Sequence, residues 1–252
     1  MTLTSDPKPF STEASQKELA YPGLLKRGMK GAAVRHLQEW ACLSYSTKIV
    51  VDGVYGAATE SLLSATEVFE DRWRFLTSAL RVVLLPPSPL PQQLTFPTLL
   101  EQCAWTHRGM HPMEVGGQNR GPWVRLYMDG KEGRDWPWCA GFVSFLLRQT
   151  AFFLGIDTPV EVSYSSSILA ADARKKGRLV SFEEVPEDAT TVFLVRGGKT
   201  GYRHTGIAIA PDHAQGTFRT VEGNSNLAGS SEGKEVCSLV RAAQGKDFIV
   251  LD

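Results

Sequence analysis

Six strand-like runs in the C-terminal part of the chain constrain its fold more than any other sequence feature. Turns rich in Gly, Asp and Pro separate the runs, and each run is long enough to form one strand of a sheet. The runs are Arg178 to Phe182, Thr191 to Arg196, His204 to Ala210, Thr217 to Glu222, Glu235 to Arg241 and Phe248 to Leu251. The segments before them have helical periodicity, and helices followed by strands are typical of α+β proteins. We therefore predict an α+β fold whose C-terminal domain contains an antiparallel sheet.

A proline-rich segment divides the helical part of the chain. Pro86-Pro87-Ser88-Pro89-Leu90-Pro91 favours an extended polyproline conformation and indicates a domain boundary. Before this segment, apolar residues at helical spacing predict a helix over Ala32 to Cys42, a second helix from Thr59, and a further helix over residues 70–85. The predicted organisation is a flexible leader at 1–21, a helical domain at 22–85, a linker at 86–95 and a second domain at 96–252.

Charge and cysteine content limit the classes of partner. Lys and Arg together number 27, as do Asp and Glu, so a net charge of zero gives no reason to expect nucleic acid or an anionic membrane as partner. The four cysteines lie far apart and form neither a disulfide framework nor a zinc-binding pattern. Met1 to Ala20 is polar, and no stretch reaches the ~20 apolar residues of a transmembrane helix. We expect synthesis in the cytoplasm without a signal peptide, and no cofactor.

Cys139 has the clearest chemical context of any residue in the chain. It follows Trp136-Pro137-Trp138 and directly precedes small and apolar residues whose spacing predicts one face of a helix. Pro137 favours a helix start at this point. The positive end of a helix dipole lowers a cysteine pKa and stabilises the nucleophilic thiolate. The alternative is a packing role, because free cysteine is among the most buried residue types.

Two strand positions supply the groups that a thiol nucleophile needs. His204 begins the run His204-Thr205-Gly206-Ile207, and Glu222-Gly223-Asn224 ends the next run, so the two can meet if these strands pair as neighbours. An imidazole can take and return the proton of Cys139, and a third polar group can fix the imidazole tautomer. Taken alone, a histidine in a strand or a Glu-Gly-Asn turn is more often structural.

These residues resemble the CHAP family, the cysteine, histidine-dependent amidohydrolases and peptidases, which have a papain-like fold. The matching residues are Glu114, Gly117, Asn119-Arg120-Gly121, Trp138-Cys139-Ala140, Phe142-Val143, His204-Thr205-Gly206-Ile207 and Glu222-Gly223-Asn224. The resemblance implies Cys139 as nucleophile, His204 as general base and acid, and Glu222 as the residue that orients His204. Asn224 is a second polar member that either orients the site or stabilises an oxyanion. Asn119, Trp138 and Tyr164 are implied groove residues, with a core role for Trp138 as the alternative.

Some CHAP relatives bind calcium through an acidic loop before the cysteine. Asp129, Glu132 and Asp135 are acidic in this chain, but Lys131 and Arg134 lie among them and the alternating spacing is poor. We therefore predict no metal.

The front of the chain resembles the small three-helix peptidoglycan-binding domain found beside many cell-wall hydrolases. The residues that carry this resemblance are Leu25-Lys26-Arg27-Gly28, Gly31, Val34, Leu37-Gln38, Val51-Asp52-Gly53-Val54-Tyr55-Gly56 and Thr59. The chain departs from the family pattern at Phe69-Glu70, where Phe-Gln is usual. The resemblance implies that Asp52 and Tyr55 contact the polymer, and the alternative is that they, with Thr59, are structural.

Together the two resemblances imply a peptidoglycan amide hydrolase that binds the cell wall with its front domain and cuts it with its rear domain. Either the muramoyl to L-alanine bond or a bond in the stem or cross-bridge peptide would be cut. The protein would act on the wall as a phage lysin released at lysis or as an injected antibacterial effector, whose partners would include a secretion-machine component or an immunity protein. The alternatives are a non-catalytic wall-binding protein with a degenerate CHAP fold, and a cytosolic amidase acting on a small peptide or polyamine conjugate.

Overall fold

The computed structural model describes residues 8–46, 49–63, 67–68, 70–89, 94–198, 201–228 and 233–251. In chain order its elements are α1 (Glu13–Leu19), β1 (Leu25–Lys26), α2 (Ala32–Tyr45), α3 (Ala57–Leu63), β2 (Glu67–Val68), α4 (Glu70–Leu76), α5 (Ser78–Val83), α6 (Phe96–Gly109), α7 (Pro122–Tyr127), α8 (Cys139–Leu154), α9 (Ser166–Lys175), β3 (Leu179–Val180), a 3-10 turn (Phe182–Glu184), β4 (Thr191–Gly197), β5 (Gly201–Asp212), β6 (Thr217–Ser225), β7 (Glu235–Ala242) and β8 (Lys246–Ile249).

These elements divide into two compact units. The sheet unit comprises Leu85–Pro112 and Pro137–Asp252 with Met1–Phe10, as far as these ranges are described. The helical unit comprises the described residues of Ser11–Leu84 and Met113–Trp136. Both units are therefore built from more than one stretch of chain.

The sheet unit contains six strands in the order β3-β8-β4-β5-β6-β7, and every described neighbouring pair is antiparallel. The predicted α+β class and antiparallel sheet are confirmed. The first predicted strand is shorter than expected, because Phe182–Glu184 turns into a 3-10 helix capped by Ser181. Helix α8 packs on β5 and β6, α9 packs on β5, and α6 packs on α8.

Helix α8 is the central helix of the sheet unit. It begins at Cys139, as predicted, and ends where Gly155 adopts a left-handed conformation with φ of 66°. Phe142, Phe145 and Leu146 are fully buried in it, and buried residues occur on all sides of the helix. A helix that is apolar all round belongs in a core. Its first residue is therefore held in place by packing along the whole helix.

The helical unit contains the predicted helix over Ala32 to Cys42, which extends to Tyr45. The predicted second helix ends at Leu63, because Leu25 and Lys26 pair as a strand with Glu67 and Val68. The predicted helix over residues 70–85 is two helices, α4 and α5. Phe69, at which the wall-binding motif departs from its family pattern, lies outside the described residues.

The division of the chain differs from the predicted one, and the described residues of the predicted linker 86–95 belong to the sheet unit. Residues 13–19 of the predicted leader form helix α1, capped by a reciprocal pair of hydrogen bonds between Thr12 and Ser15. Residues 113–136 of the predicted second domain belong to the helical unit instead. Arg125 of this segment explains the placement, because it is bonded to Glu18 on α1 and to Glu39 on α2.

No helix among the described residues is both long and apolar enough to cross a membrane.

Candidate active site

The thiol of Cys139 lies at the first turn of α8 and is almost completely buried. The His204 side chain and the backbone N–H groups of Thr205 and Ala140 lie near the thiol and favour its ionised form. Burial raises the pKa of the thiol, but the nearby His204, through its N–H and its positive charge, and the two backbone N–H groups outweigh burial and lower the pKa. The site therefore favours the nucleophilic thiolate.

His204 on β5 faces Cys139 with one side of its ring and Glu222 with the other. Its Nε2 atom lies 2.8 Å from Oε2 of Glu222. Its buried Nδ1 atom has no hydrogen-bond partner among the described residues, so Nδ1 is the ring nitrogen left to exchange a proton with the nearby thiol. Burial lowers the pKa of His204, yet the interactions with Cys139 and Glu222 raise it to about 9. Both pKa shifts favour transfer of the thiol proton to His204.

Glu222 lies on β6 and is completely buried. The predicted pairing of the two strands is confirmed, since Ile207 of β5 is opposite Val221 of β6. Burial raises the pKa of Glu222, but hydrogen bonds from Arg241 and His204 hold it at about 2. Glu222 is thus a carboxylate that accepts the Nε2–H of His204.

Asn224 is also buried, two residues beyond Glu222. The strand does not stay extended to this position, because the β6–β7 register shifts between Glu222 and Ser225 and Asn224 has a φ of 53°. The simple alternation that would put Glu222 and Asn224 on one side therefore does not apply. Its role, in orienting the site or in stabilising an oxyanion, stays a prediction.

Two glycines allow the sheet to approach the reactive groups closely. A Cβ atom at Gly223 would lie 2.6 Å from Cβ of Phe142 and 2.8 Å from the indole of Trp138. A Cβ atom at Gly206 would lie 2.7 Å from the ring of Phe193 and 3.0 Å from Cγ of Glu222. Only glycine fits at these two positions, so close contact between α8 and β6 sets the distance from Cys139 to its partners.

Burial argues against most of the predicted substrate contacts. Trp138 is completely buried under Gly223, which favours the alternative core role. Asn119 is 4% exposed and its amide donates to the carbonyl oxygen of Arg134. Tyr164, in the sheet unit, remains partly exposed.

The two predicted contacts in the helical unit have structural surroundings. Tyr55 is 1% exposed, so its ring offers almost no surface to a polymer. Asp52 is exposed, and its Oδ1 accepts hydrogen bonds from the Gln38 amide and from the Val54 N–H, which closes the loop around Gly53. These surroundings favour the structural alternative for both residues.

Sequence reasoning missed three residues that bind Glu222. Arg241 on β7 binds both carboxylate oxygens, and the hydroxyls of Thr220 and Ser225 donate to one oxygen each. Thr220 could have been found, since residues two apart in a strand lie on the same face. Arg241 could not, because its approach depends on how β6 and β7 pair.

The chain matches no protein-family model, no curated protein and no solved structure. The chemistry of the site therefore follows from its own atoms. Among the described residues, no three His, Cys, Asp or Glu side chains are grouped so that they could hold a metal ion. The acidic Glu132 instead binds Arg125 and the backbone N–H of Gly121.

What remains at the site is a thiol, an imidazole and a carboxylate in series. This is the set that nucleophilic acyl transfer requires: a nucleophile, a proton carrier and a group that fixes the carrier's tautomer. Because Nε2 is committed to Glu222, Nδ1 has to carry the proton.

Proposed function

We propose that this protein is a cysteine-dependent amide hydrolase acting on peptidoglycan, with its active site in the sheet unit. The observation that carries the proposal is the buried series of Cys139, His204 and Glu222, with the thiol pKa lowered and the histidine pKa raised. The substrate class comes from the resemblance to CHAP hydrolases, and a papain-like topology and a three-helix wall-binding module are part of the same proposal.

The first half of the proposed reaction forms a thioester. Sγ of Cys139 attacks the amide carbonyl carbon, and the carbonyl electron pair moves to oxygen as the S–C bond forms. When this intermediate collapses, the C–N bond breaks and Nδ1 of His204 gives its proton to the leaving amine. The products are an amine, an acylated Cys139 and a neutral imidazole.

The second half restores the enzyme. Nδ1 of neutral His204 takes a proton from water, and the resulting hydroxide attacks the thioester carbon. The C–S bond then breaks and releases a carboxylic acid together with the Cys139 thiolate. Glu222 accepts the Nε2–H bond throughout, which keeps Nδ1 facing the reacting atoms.

Purified sacculi test this proposal. The wild-type protein should release fragments with new amines, and mass spectrometry of the fragments identifies the amide bond that was cut. Cys139→Ala should abolish release and still co-sediment with sacculi. The matched control is Cys103→Ala, because Cys103 is an equally buried cysteine whose pKa burial raises to about 12. Equal release of fragments by Cys139→Ala would refute Cys139 as the nucleophile. If the wild-type protein releases no fragments from several types of cell wall, peptidoglycan is refuted as the substrate.

The helical unit is proposed to hold the polymer. Tethering of this kind raises the effective substrate concentration around the active site. Deletion of residues 1–85 should weaken co-sedimentation with sacculi. Such a deletion also strips residues 113–136 of their partners on α1 and α2. The deletion variant is therefore compared with Arg125→Met in the full chain. Weakened co-sedimentation of both variants supports polymer binding by this unit. Unchanged co-sedimentation of the deletion variant would mean that the unit has only a packing role.

A further inference from the structure

Arg241 binds both carboxylate oxygens of Glu222, including Oε2, which also accepts from Nε2 of His204. The Nε atom of Arg241 lies 2.5 Å from Oε1 of Glu222 and its Nη2 atom lies 2.6 Å from Oε2. This is the bidentate geometry in which a guanidinium fixes both the charge and the plane of a carboxylate. The Arg241 guanidinium also lies over the Phe193 ring, 5.8 Å from its centre, within the range of a cation–π contact.

We propose that Arg241 is a positioning residue of this site, which keeps Glu222 ionised and in one orientation so that Glu222 can fix His204. The inference rests on the proposed thiol mechanism and adds the residue that sets the charge of the site. Arg241 acts on the nucleophile only through Glu222 and His204.

The sum of charges explains why such a residue is needed. In the ion-pair state of the proposed mechanism, thiolate, imidazolium, carboxylate and guanidinium alternate in sign and sum to zero. Without Arg241 the remaining three carry one net negative charge, with Cys139, His204 and Glu222 all nearly inaccessible to water. An uncompensated buried charge is costly, and the group relieves it by taking up a proton. A protonated Glu222 no longer holds the imidazolium as an anion does.

Other titratable groups near Glu222 do not replace Arg241. Cys237 lies opposite Glu222 on β7, and burial raises the pKa of its thiol, which keeps it neutral. Lys246 on β8 donates to the carbonyl oxygens of Ala242 and Gln244, and burial lowers the pKa of its amine. Thr220 and Ser225 contribute neutral hydroxyls.

The test is a double-mutant cycle read at Cys139. The proteins are wild type, Arg241→Met, Glu222→Gln and the double variant, and the readout is the alkylation rate of Cys139 by iodoacetamide as a function of pH, measured by mass spectrometry of the Cys139 peptide. The matched control is Arg196→Met, because Arg196 makes a comparable two-pronged pair with Asp247 in the same sheet, away from the site. Arg241→Lys, which keeps the charge, is the rescue variant.

We expect Arg241→Met to move the acid limb of the alkylation profile upward by about one pH unit or more. Arg241→Lys should return it towards the wild-type position, and Arg196→Met should leave it unchanged. The double variant should match Glu222→Gln, because Arg241 has no route to the thiol once the carboxylate is gone. If Arg241→Met does not fold, Glu222→Gln and the double variant still make this comparison, since neither leaves a buried carboxylate unpaired.

An unchanged profile in Arg241→Met overturns the inference. So does a double variant whose rate differs more than about threefold from that of Glu222→Gln, which exceeds the usual error of additivity. Alkylation needs no peptidoglycan, so the role of Arg241 and the proposed substrate are tested separately. If sacculi stay intact but the effects of the two substitutions are non-additive, only the substrate is refuted. If sacculi are cleaved but the two effects are additive, only the role of Arg241 is refuted.

Discussion

Replacing Arg125 by Met should destabilise the helical unit, because Arg125 binds three carboxylates within it. Arg125 donates to Glu18 at 2.6 Å, to Glu39 at 2.7 Å and to Glu132 at 2.9 Å. Glu18 and Glu39 are 4% and 2% exposed, so Met would leave two buried carboxylates without their main counter-ion. His36 would still hold Glu18, and Arg35 would still lie near Glu39.

The size of the effect follows from the burial. Breaking a buried ion pair by removing one partner costs roughly 3–5 kcal/mol. A cavity of about 460 Å³ is lined by Glu18, Glu39 and Arg125, and it gives water access to the abandoned carboxylates. We therefore expect the lower end, about 3 kcal/mol, which corresponds to a roughly hundredfold change in an opening equilibrium.

Amide hydrogen exchange at α1, α2 and α7 measures this locally, without assuming that the whole chain unfolds in one step. The control is Arg120→Met, because Arg120 also reaches Glu132 but at 3.5 Å and with a side chain 42% exposed. Arg120→Met should lower the stability of the helical unit by less than about 1 kcal/mol. Equal exchange in the two variants at neutral pH would refute the reasoning.

The pH dependence gives a second check on Arg125. Burial raises the pKa of Glu18, but bonds from His36 and Arg125 outweigh it and hold the pKa below 4.5. The stabilisation that Glu18 provides is therefore complete above that pH and is lost as the pH falls further. The difference in stability of the helical unit between wild type and Arg125→Met should therefore become smaller below pH 4.5.

Further predictions concern the active site. The pKa of His204 is raised from 6.5 to about 9, so the stability that its charge gives the fold is complete below pH 6.5 and is lost as the pH rises through 9. The rate of amide hydrolysis should fall over the same range, as a pH–rate profile measures. A fall centred near pH 6.5 would contradict the ion pair. Gly223→Ala should push β6 away from α8 at a cost of about 1–3 kcal/mol and slow Cys139 alkylation. Gly109→Ala, at the end of α6 with no atom within 4 Å of the added methyl group, should leave the alkylation rate unchanged. Equal alkylation rates in the two variants would contradict the close-approach argument.

The sequence predicts those parts of the fold that local pattern controls. The helix beginning at Cys139 and the strands around His204 and Glu222 have strong periodicity and clear turns, and their pairing follows because a short connection favours a hairpin. The same logic finds the series of thiol, imidazole and carboxylate before any coordinates are known.

Features that depend on distant contacts escape such reasoning. Arg241 reaches Glu222 only because β7 pairs with β6 in one particular register, which no local signal specifies. The placement of residues 113–136 in the helical unit has the same origin. The segment around Arg125 joins the helical unit through Glu18, 107 residues earlier in the chain. Burial of Trp138 and Tyr55 likewise depends on packing, because the sequence does not distinguish an aromatic core residue from one that contacts a substrate.

The interleaving of the two units has a consequence for synthesis on the ribosome. The chain passes between the units after Phe10, after Leu84, after Pro112 and after Trp136. Arg125 must leave the exit tunnel before Glu18 and Glu39 gain their counter-ion, so the helical unit cannot be completed while it is the only part translated. Truncated products that end near the proline-rich segment would leave Glu18 and Glu39 without the guanidinium that joins them, so the helical unit is completed only after residues 113–136 have been made.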